Sequence, residues 1–237
     1  MKLFLIAILS SLIVGCNILS QKSNSEIESD LYKNIEINRE NKPFYLSNVN
    51  DSIVIYKLRN KNLDSLSVNI LKAEAEFYPK KSNQTIANTQ LFYKNSTDLD
   101  FLTIPFKYRP KQKDFPNQFT TNLNGAVYLG RRTDFYKITY HKNPFSLYER
   151  KISHYAFSYG IFTGLGGSNI NPSLTNENIN KEYDGLVWSK GIAGIIGINN
   201  FTVGLAIGID DLMDENNKYW IYQQKIWYGL TFGLNLN

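Results

Sequence analysis

His154 and Ser158 are the side chains of this 237-residue sequence whose types could supply a base and a nucleophile. An imidazole takes a hydroxyl proton when the two groups meet and a third group holds the ring. A separation of four residues places both on one side of an extended strand. No third member is identifiable from the sequence, and a histidine hydrogen-bonded to its neighbours is the plainer reading. A second grouping is Asp210, Asp211, Asp214 and Glu215. It lacks the alternating acidic spacing and the glycine of an EF-hand loop, so it reads as a solvated loop and not a metal site. Lys107, Arg109 and the pair Arg131-Arg132 fall near expected strand ends. There they could meet anionic headgroups or lipopolysaccharide phosphates, with interfacial anchoring as the blander role. One cysteine excludes an internal disulfide framework and a Cys-built zinc site, and two histidines leave little for His-based metal chemistry. No phosphate loop or nucleotide fingerprint is present, and no cofactor is implied.

The single cysteine, Cys16, ends a short leader. Lys2 is followed by the apolar run Leu3–Val14, too short for a spanning helix and of the length of a secretory signal core. Ile13-Val14-Gly15-Cys16 resembles the lipobox of bacterial lipoproteins, which implies cleavage after Gly15 and acylation of Cys16. Buried methylenes contribute about 0.8 kcal/mol each, so a multiply acylated cysteine holds a chain to a membrane. Of 26 basic and 21 acidic residues only Lys2 lies in residues 1–15, so the remainder carries a net charge of +4. With neither a basic stripe nor a recognition motif, nucleic-acid binding finds no support.

The elements that must carry these residues are strands. Residues 16–50 are polar and aperiodic and read as a flexible tether. Residues 51–99 hold β-rich patches at Ile53–Tyr56, Ser67–Tyr78 and Thr85–Tyr93, and the middle one also fits a helix face through Leu63, Leu66, Ile70, Ala73 and Phe77. From residue 100 to 237 large apolar residues alternate with small or polar ones over strand-length segments. Fourteen of the fifteen glycines fall in this part, from Gly125 onward. In one segment Tyr155, Phe157, Tyr159 and Ile161 face one way, and His154, Ala156, Ser158 and Gly160 the other. Asn199-Asn200 suits a type I′ turn and sets a hairpin that pairs Ile198 with Phe201, Ile196 with Val203 and Ser189 with Asp210.

The non-greasy face is mainly Gly, Ala, Ser, Thr and Asn, not the Lys and Glu that a water-facing surface would carry. The expected fold is therefore all-β: an antiparallel up-and-down transmembrane β-barrel of about eight strands, with lipid outside and a small-residue lumen, and a soluble lipocalin-like barrel as the alternative. Six strands come from about Phe101 onward and two from Ile53–Tyr93. His154, Ser158, Asp210 and Trp227 are the lumen-facing candidates. Tyr155, Trp188, Phe201 and Tyr228 suit interfacial girdles. Lys190 falls on the greasy face, so it must snorkel at a rim or sit at a bulge.

Several stretches resemble uncharacterised outer-membrane β-barrel proteins of Bacteroidota-type bacteria: Thr103–Pro110 (TIPFKYRP), Tyr159–Gly166, Tyr183–Gly191, Asn199–Asp210, Trp220–Trp227 and Gly229–Asn237. The resemblance implies a membrane barrel and brings no activity. Together these readings lead to a non-enzymatic, structural or surface-interaction protein of the outer membrane. It would be anchored through Cys16, with its C-terminus periplasmic. Its partners would be outer-membrane lipid, lipopolysaccharide and the barrel assembly machinery. A narrow transport or ligand-binding barrel is the alternative. A weaker one is a lipid hydrolase using His154, by analogy with outer-membrane deacylases and phospholipases.

Overall fold

The computed structural model describes residues 27–34, 43–49, 52–58, 68–78, 80–81, 89–112, 115–198 and 201–234. These residues are all-β and antiparallel, with only two short 3-10 turns, Pro172–Thr175 and Glu215–Lys218. The strands are β1 (Asp30–Asn34), β2 (Phe44–Val49), β3 (Ser52–Leu58), β4 (Val68–Phe77), β5 (Lys80–Lys81), β6 (Gln90–Arg109), β7 (Gln118–Thr120), β8 (Asn124–Lys142), β9 (Tyr148–Ile170), β10 (Tyr183–Ile198), β11 (Phe201–Leu212) and β12 (Ile226–Leu234).

Six of them form a closed hydrogen-bonded circuit, β6-β8-β9-β10-β11-β12, in which β12 pairs back onto β6. The β10–β11 hairpin has the register expected from alternation, with Ile198 opposite Phe201, Ile196 opposite Val203 and Ser189 opposite Asp210. The turn residues Asn199 and Asn200 lie outside the described residues. One cross-strand row runs Thr97–Arg131–Tyr159–Gly194–Leu205–Leu230 and returns to β6 at Phe106, nine residues beyond its start. With ~3.3 Å per residue and ~4.8 Å between strands, that stagger tilts the strands by about 45°.

The faces of the circuit sort by side chain. Ile161, Ile192, Leu205, Ile226 and Tyr228 point outward, Leu205 with 69% of its surface exposed. Ala126, Ala156, Ser158, Ala193, Ala206 and Thr231 are buried inside. So narrow an interior excludes Cβ atoms where strands and side chains crowd. A Cβ at Gly160 would lie 2.2 Å from the Leu129 carbonyl oxygen, and one at Gly208 would lie 2.5 Å from the Trp227 ring. The volume left by the small residues is filled by Tyr128, Phe162 and Trp227, packed with Leu102, Ile104 and Ile195.

Two sequence expectations are corrected. The circuit has six strands, not about eight, because the strands before residue 90 do not join it. The stretch 16–50 is not wholly a tether, since β1 and β2 lie within it; Tyr32, Phe44 and Leu46 are buried, and so is Ile27 just ahead of β1. Strands β1 to β4 form a meander that hangs from β6 through Lys33 opposite Tyr93 and Asn34 opposite Phe92. The segment that fitted either a helix or a strand is β4, in which Ala73, Ala75 and Phe77 alternate with Glu74 and Glu76. The meander covers the ends of β6, β8 and β9 that run past the circuit. There Ile27, Tyr32, Phe44, Leu46, Ile53, Ile55, Phe77, Phe92 and Ile138 make a second core. This lower body keeps its large apolar residues inside, whereas the circuit above it carries most of its own on the outer face around a smaller apolar core.

Candidate functional site

The interior of the circuit holds two charged layers, separated by the Tyr128–Phe162–Trp227 core. Toward the long-loop end, Asp210 projects inward from β11 and is fully buried. Lys107 donates to both Asp210 carboxylate oxygens at 3.0 Å, and Arg109 donates to one of them. Ser189 Oγ donates to Asp210 at 2.6 Å and Trp227 Nε1 at 2.8 Å. Four acceptors thus share the three Lys107 protons, since Asn124 Oδ1 at 2.9 Å and Ser189 Oγ at 3.0 Å also lie within reach, and the ammonium lies 4.4 Å from the Trp227 ring centre. Two cations on one carboxylate suit a dry interior only if the extra charge is met elsewhere. Arg109 meets it by lying 5.2 Å from the ring centres of both Trp220 and Tyr222. Those rings belong to a cap made by the loops after β9 and β11, with Leu174, Ile170, Val187 and Leu212 beneath them. The backbone N–H of Ile221 donates to the Leu174 carbonyl at 3.0 Å and ties the two loops together. Burial pushes the Tyr222 phenol above its ordinary pKa, against the lowering pull of Arg109.

Toward the lower body, Asp134 accepts from His154 Nε2 at 2.6 Å and from Arg132 Nε at 2.9 Å. Arg132 also faces Asp98 at 3.8 Å, and the His154 ring stacks on Tyr136 with centres 4.6 Å apart. Ser158 is bonded to the Tyr128 hydroxyl at 2.8 Å. His154 and Ser158 share a face as strand parity requires, but each is engaged with a different partner. Asp134 and Tyr136 hold the imidazole while Tyr128 holds Ser158, so the described contacts do not join the two as a base and its nucleophile.

All four lumen-facing candidates, His154, Ser158, Asp210 and Trp227, are buried on the inner face of the circuit. Cys16 lies outside the described residues. Lys107 and Arg109 do not stand at a rim as strand-end cations: they are buried inside. The cause is an irregularity in the β6–β12 pairing, where Leu230 faces Phe106 but Phe232 faces Thr103. Pro105 sits in that step and has no N–H for the ladder. Before it Leu102 and Ile104 point inward; after it the parity switches and Lys107 and Arg109 do. Arg132 turns inward likewise, and only Arg131 of that pair stays exposed.

The acidic run of residues 210–215 does not converge. Asp210 points in, Asp211 pairs with Lys190 on the outer face at 2.7 Å, and Asp214 caps the Glu215–Lys218 turn while accepting from the Tyr183 hydroxyl at 2.7 Å. Among the described residues no cluster of His, Cys, Asp or Glu is arranged to hold a metal. Lys190 needs no bulge: it faces Ile209 in regular register, paired to Asp211 and 4.2 Å from the Trp188 ring centre. Among the described residues no helix is long and apolar enough to cross a membrane. Comparison of the chain with protein-family models, with curated proteins and with solved structures finds no match.

Proposed function

We propose that this chain is a lipid-anchored outer-membrane β-barrel protein with a structural or surface-interaction role, and that its barrel is neither a pore nor an enzyme. One observation carries the reading: the circuit is inside out relative to a soluble fold. Large apolar side chains cover its outside while Lys107, Arg109, Asp210, Asp134 and His154 are buried within. In water such a surface would be a strong liability for aggregation, whereas in a bilayer it is the stable arrangement. The outward-facing run from Tyr155 to Leu165 spans ten residue steps of β9. At a 45° tilt this rises ~23 Å, close to the ~25 Å apolar band of outer-membrane barrels. Tyr155 lies toward one edge of that band, and Trp188, Tyr108 and Tyr228 toward the other, as interfacial girdles require.

The resemblance to barrels of Bacteroidota-type bacteria and the lipobox at Cys16 agree with this placement. With β12 descending to the periplasm, the β1–β4 meander and the Asn199-Asn200 turn lie on the periplasmic side. The capped loops after β9 and β11 then face outward. Cys16 precedes Ile27 by eleven residues, a reach of up to ~36 Å from the inner leaflet. The filled interior between cap and lower body speaks against transport. Barrel assembly machinery would insert the chain, and lipid and lipopolysaccharide would surround it.

The test is membrane fractionation with unboiled electrophoresis. A barrel resists carbonate extraction and migrates differently before and after boiling; release by carbonate without a heat shift would refute the reading. Cys16→Ala should abolish palmitate labelling, and persistent labelling would move the anchor elsewhere.

A further inference from the structure

The outer surface of the circuit is not uniformly filled. At Gly194 an added Cβ would meet no atom within 4 Å, in contrast to the tightly packed inward glycines Gly160 and Gly208. Around this position lies a groove of about 1040 Å³. Tyr159, Ile192, Ile196, Leu205 and Leu230 line it, and Arg131 stands at one end. The groove follows the cross-strand row Arg131–Tyr159–Gly194–Leu205–Leu230. Four interstrand steps of ~4.8 Å make ~19 Å along the row, the length of an extended acyl chain, and at a 45° tilt they rise ~14 Å. Arg131 makes no ion pair among the described residues, whereas its neighbour Arg132 is bonded inward to Asp134. Its end of the row is the one nearer the lower body, because β6 rises from Thr97, opposite Arg131, to Phe106, which continues the row beyond Leu230.

We propose that this groove seats one glycerophospholipid of the leaflet next to the lower body, with an acyl chain crossing Gly194 and the phosphate held by Arg131. The apolar walls match a hydrocarbon chain in length, and the one charged side chain lining the groove, Arg131, stands ~6 Å inside the Tyr155 edge of the apolar band, a distance its own extended side chain spans to reach a headgroup phosphate. A guanidinium binds two phosphate oxygens at once, which gives the site a preference for phosphate over an uncharged headgroup. A missing side chain at Gly194 lets the chain lie against the strand backbone, so it is held more closely than annular lipid.

The inference rests on the membrane reading, and the experiment separates the two. Purified full-length protein in detergent is titrated with dioleoyl phosphatidylglycerol or with dioleoylglycerol, and adducts are counted by native mass spectrometry. The wild type should retain one phosphatidylglycerol and little dioleoylglycerol. Arg131→Gln should weaken retention about five-fold. Gly194→Leu, which fills the groove where there is room for it, should remove the discrete adduct. Both variants should keep the heat-dependent gel shift, which shows that they fold. Wild-type retention by either folded variant, equal binding of dioleoylglycerol, or a protein dimer that Gly194→Leu dissociates would overturn the proposal while leaving the barrel intact. A protein that stays soluble without detergent and shows no heat shift would refute the membrane reading itself.

Discussion

Asp210 is the anion on which the upper interior layer depends, and its replacement by asparagine gives a sharp expectation. The wild-type layer has two cations, Lys107 and Arg109, on one carboxylate, each at most 2% exposed. Asp210→Asn leaves two buried like charges with no anion, although Ser189 and Trp227 keep an amide oxygen to bond. Breaking a buried pair by removing one partner costs about 3–5 kcal/mol. Arg109→Met, by contrast, loses one hydrogen bond to Asp210 and the contacts with Trp220 and Tyr222 but leaves the neutral Lys107–Asp210 pair, so no buried charge is stranded and the cost is about 1–2 kcal/mol. Trp227 donates to Asp210, so its fluorescence reports the layer directly. In urea titrations of protein refolded into vesicles, with m near 2 kcal/mol/M, Asp210→Asn should lower the midpoint by about 2 M. Arg109→Met should lower it by under about 1 M. If the two variants cost the same, or Arg109→Met costs more, the layer is not organised by charge balance around Asp210 and the argument fails.

Three further expectations follow from other parts of the molecule. Ile161 is 61% exposed near the middle of the outer face, so Ile161→Lys would be nearly neutral in water. In a bilayer it should cost about 2–4 kcal/mol, measured by vesicle refolding, and a neutral result there would contradict a lipid-facing position. Gly160→Val places a side chain against the Leu129 carbonyl and should abolish the heat-dependent gel shift; a normally folded variant would refute the close strand approach. In the lower body, burial raises the Asp30 pKa, but the Lys94 ammonium and the Leu31 N–H outweigh it and the net shift is downward. Its stabilising contribution is therefore present above the unfolded carboxylate pKa of about 3.9 and fades as the pH falls through the lower folded value. Asp30→Asn should show less acid sensitivity than wild type in thermal melts between pH 5 and 3, and parallel curves would exclude the contribution.

Much of this arrangement was legible in the sequence where alternation was strict. The β10–β11 register, the burial of Asp210 and the outward direction of Lys190 follow from parity counted from a two-residue turn, and the burial of His154, Ser158 and Trp227 follows from alternation within their own strands. Legibility ended where parity broke. Lys107 and Arg109 turn inward only because the pairing slips at Pro105, and a proline within a strand pattern was the signal for that slip. Asp134 and Arg132 were hidden for a different reason: their partners His154 and Asp98 come from neighbouring strands, and no local spacing encodes that meeting. The strands β1 and β2 were masked by their polar composition. Tyr32, Phe44 and Leu46 are too few and too far apart to show a period, and they acquire one only through the sheet they join.

Strands β6, β8 and β9 run without interruption from the closed circuit into the lower core. No linker separates the two halves, and the same backbone hydrogen bonds that set the stagger of one set the position of the other. A pull or twist applied at the capped loops is thus delivered to the β1–β4 face along continuous ladders, as through a rigid shaft. Whatever grips that lower face holds the whole molecule at a fixed angle.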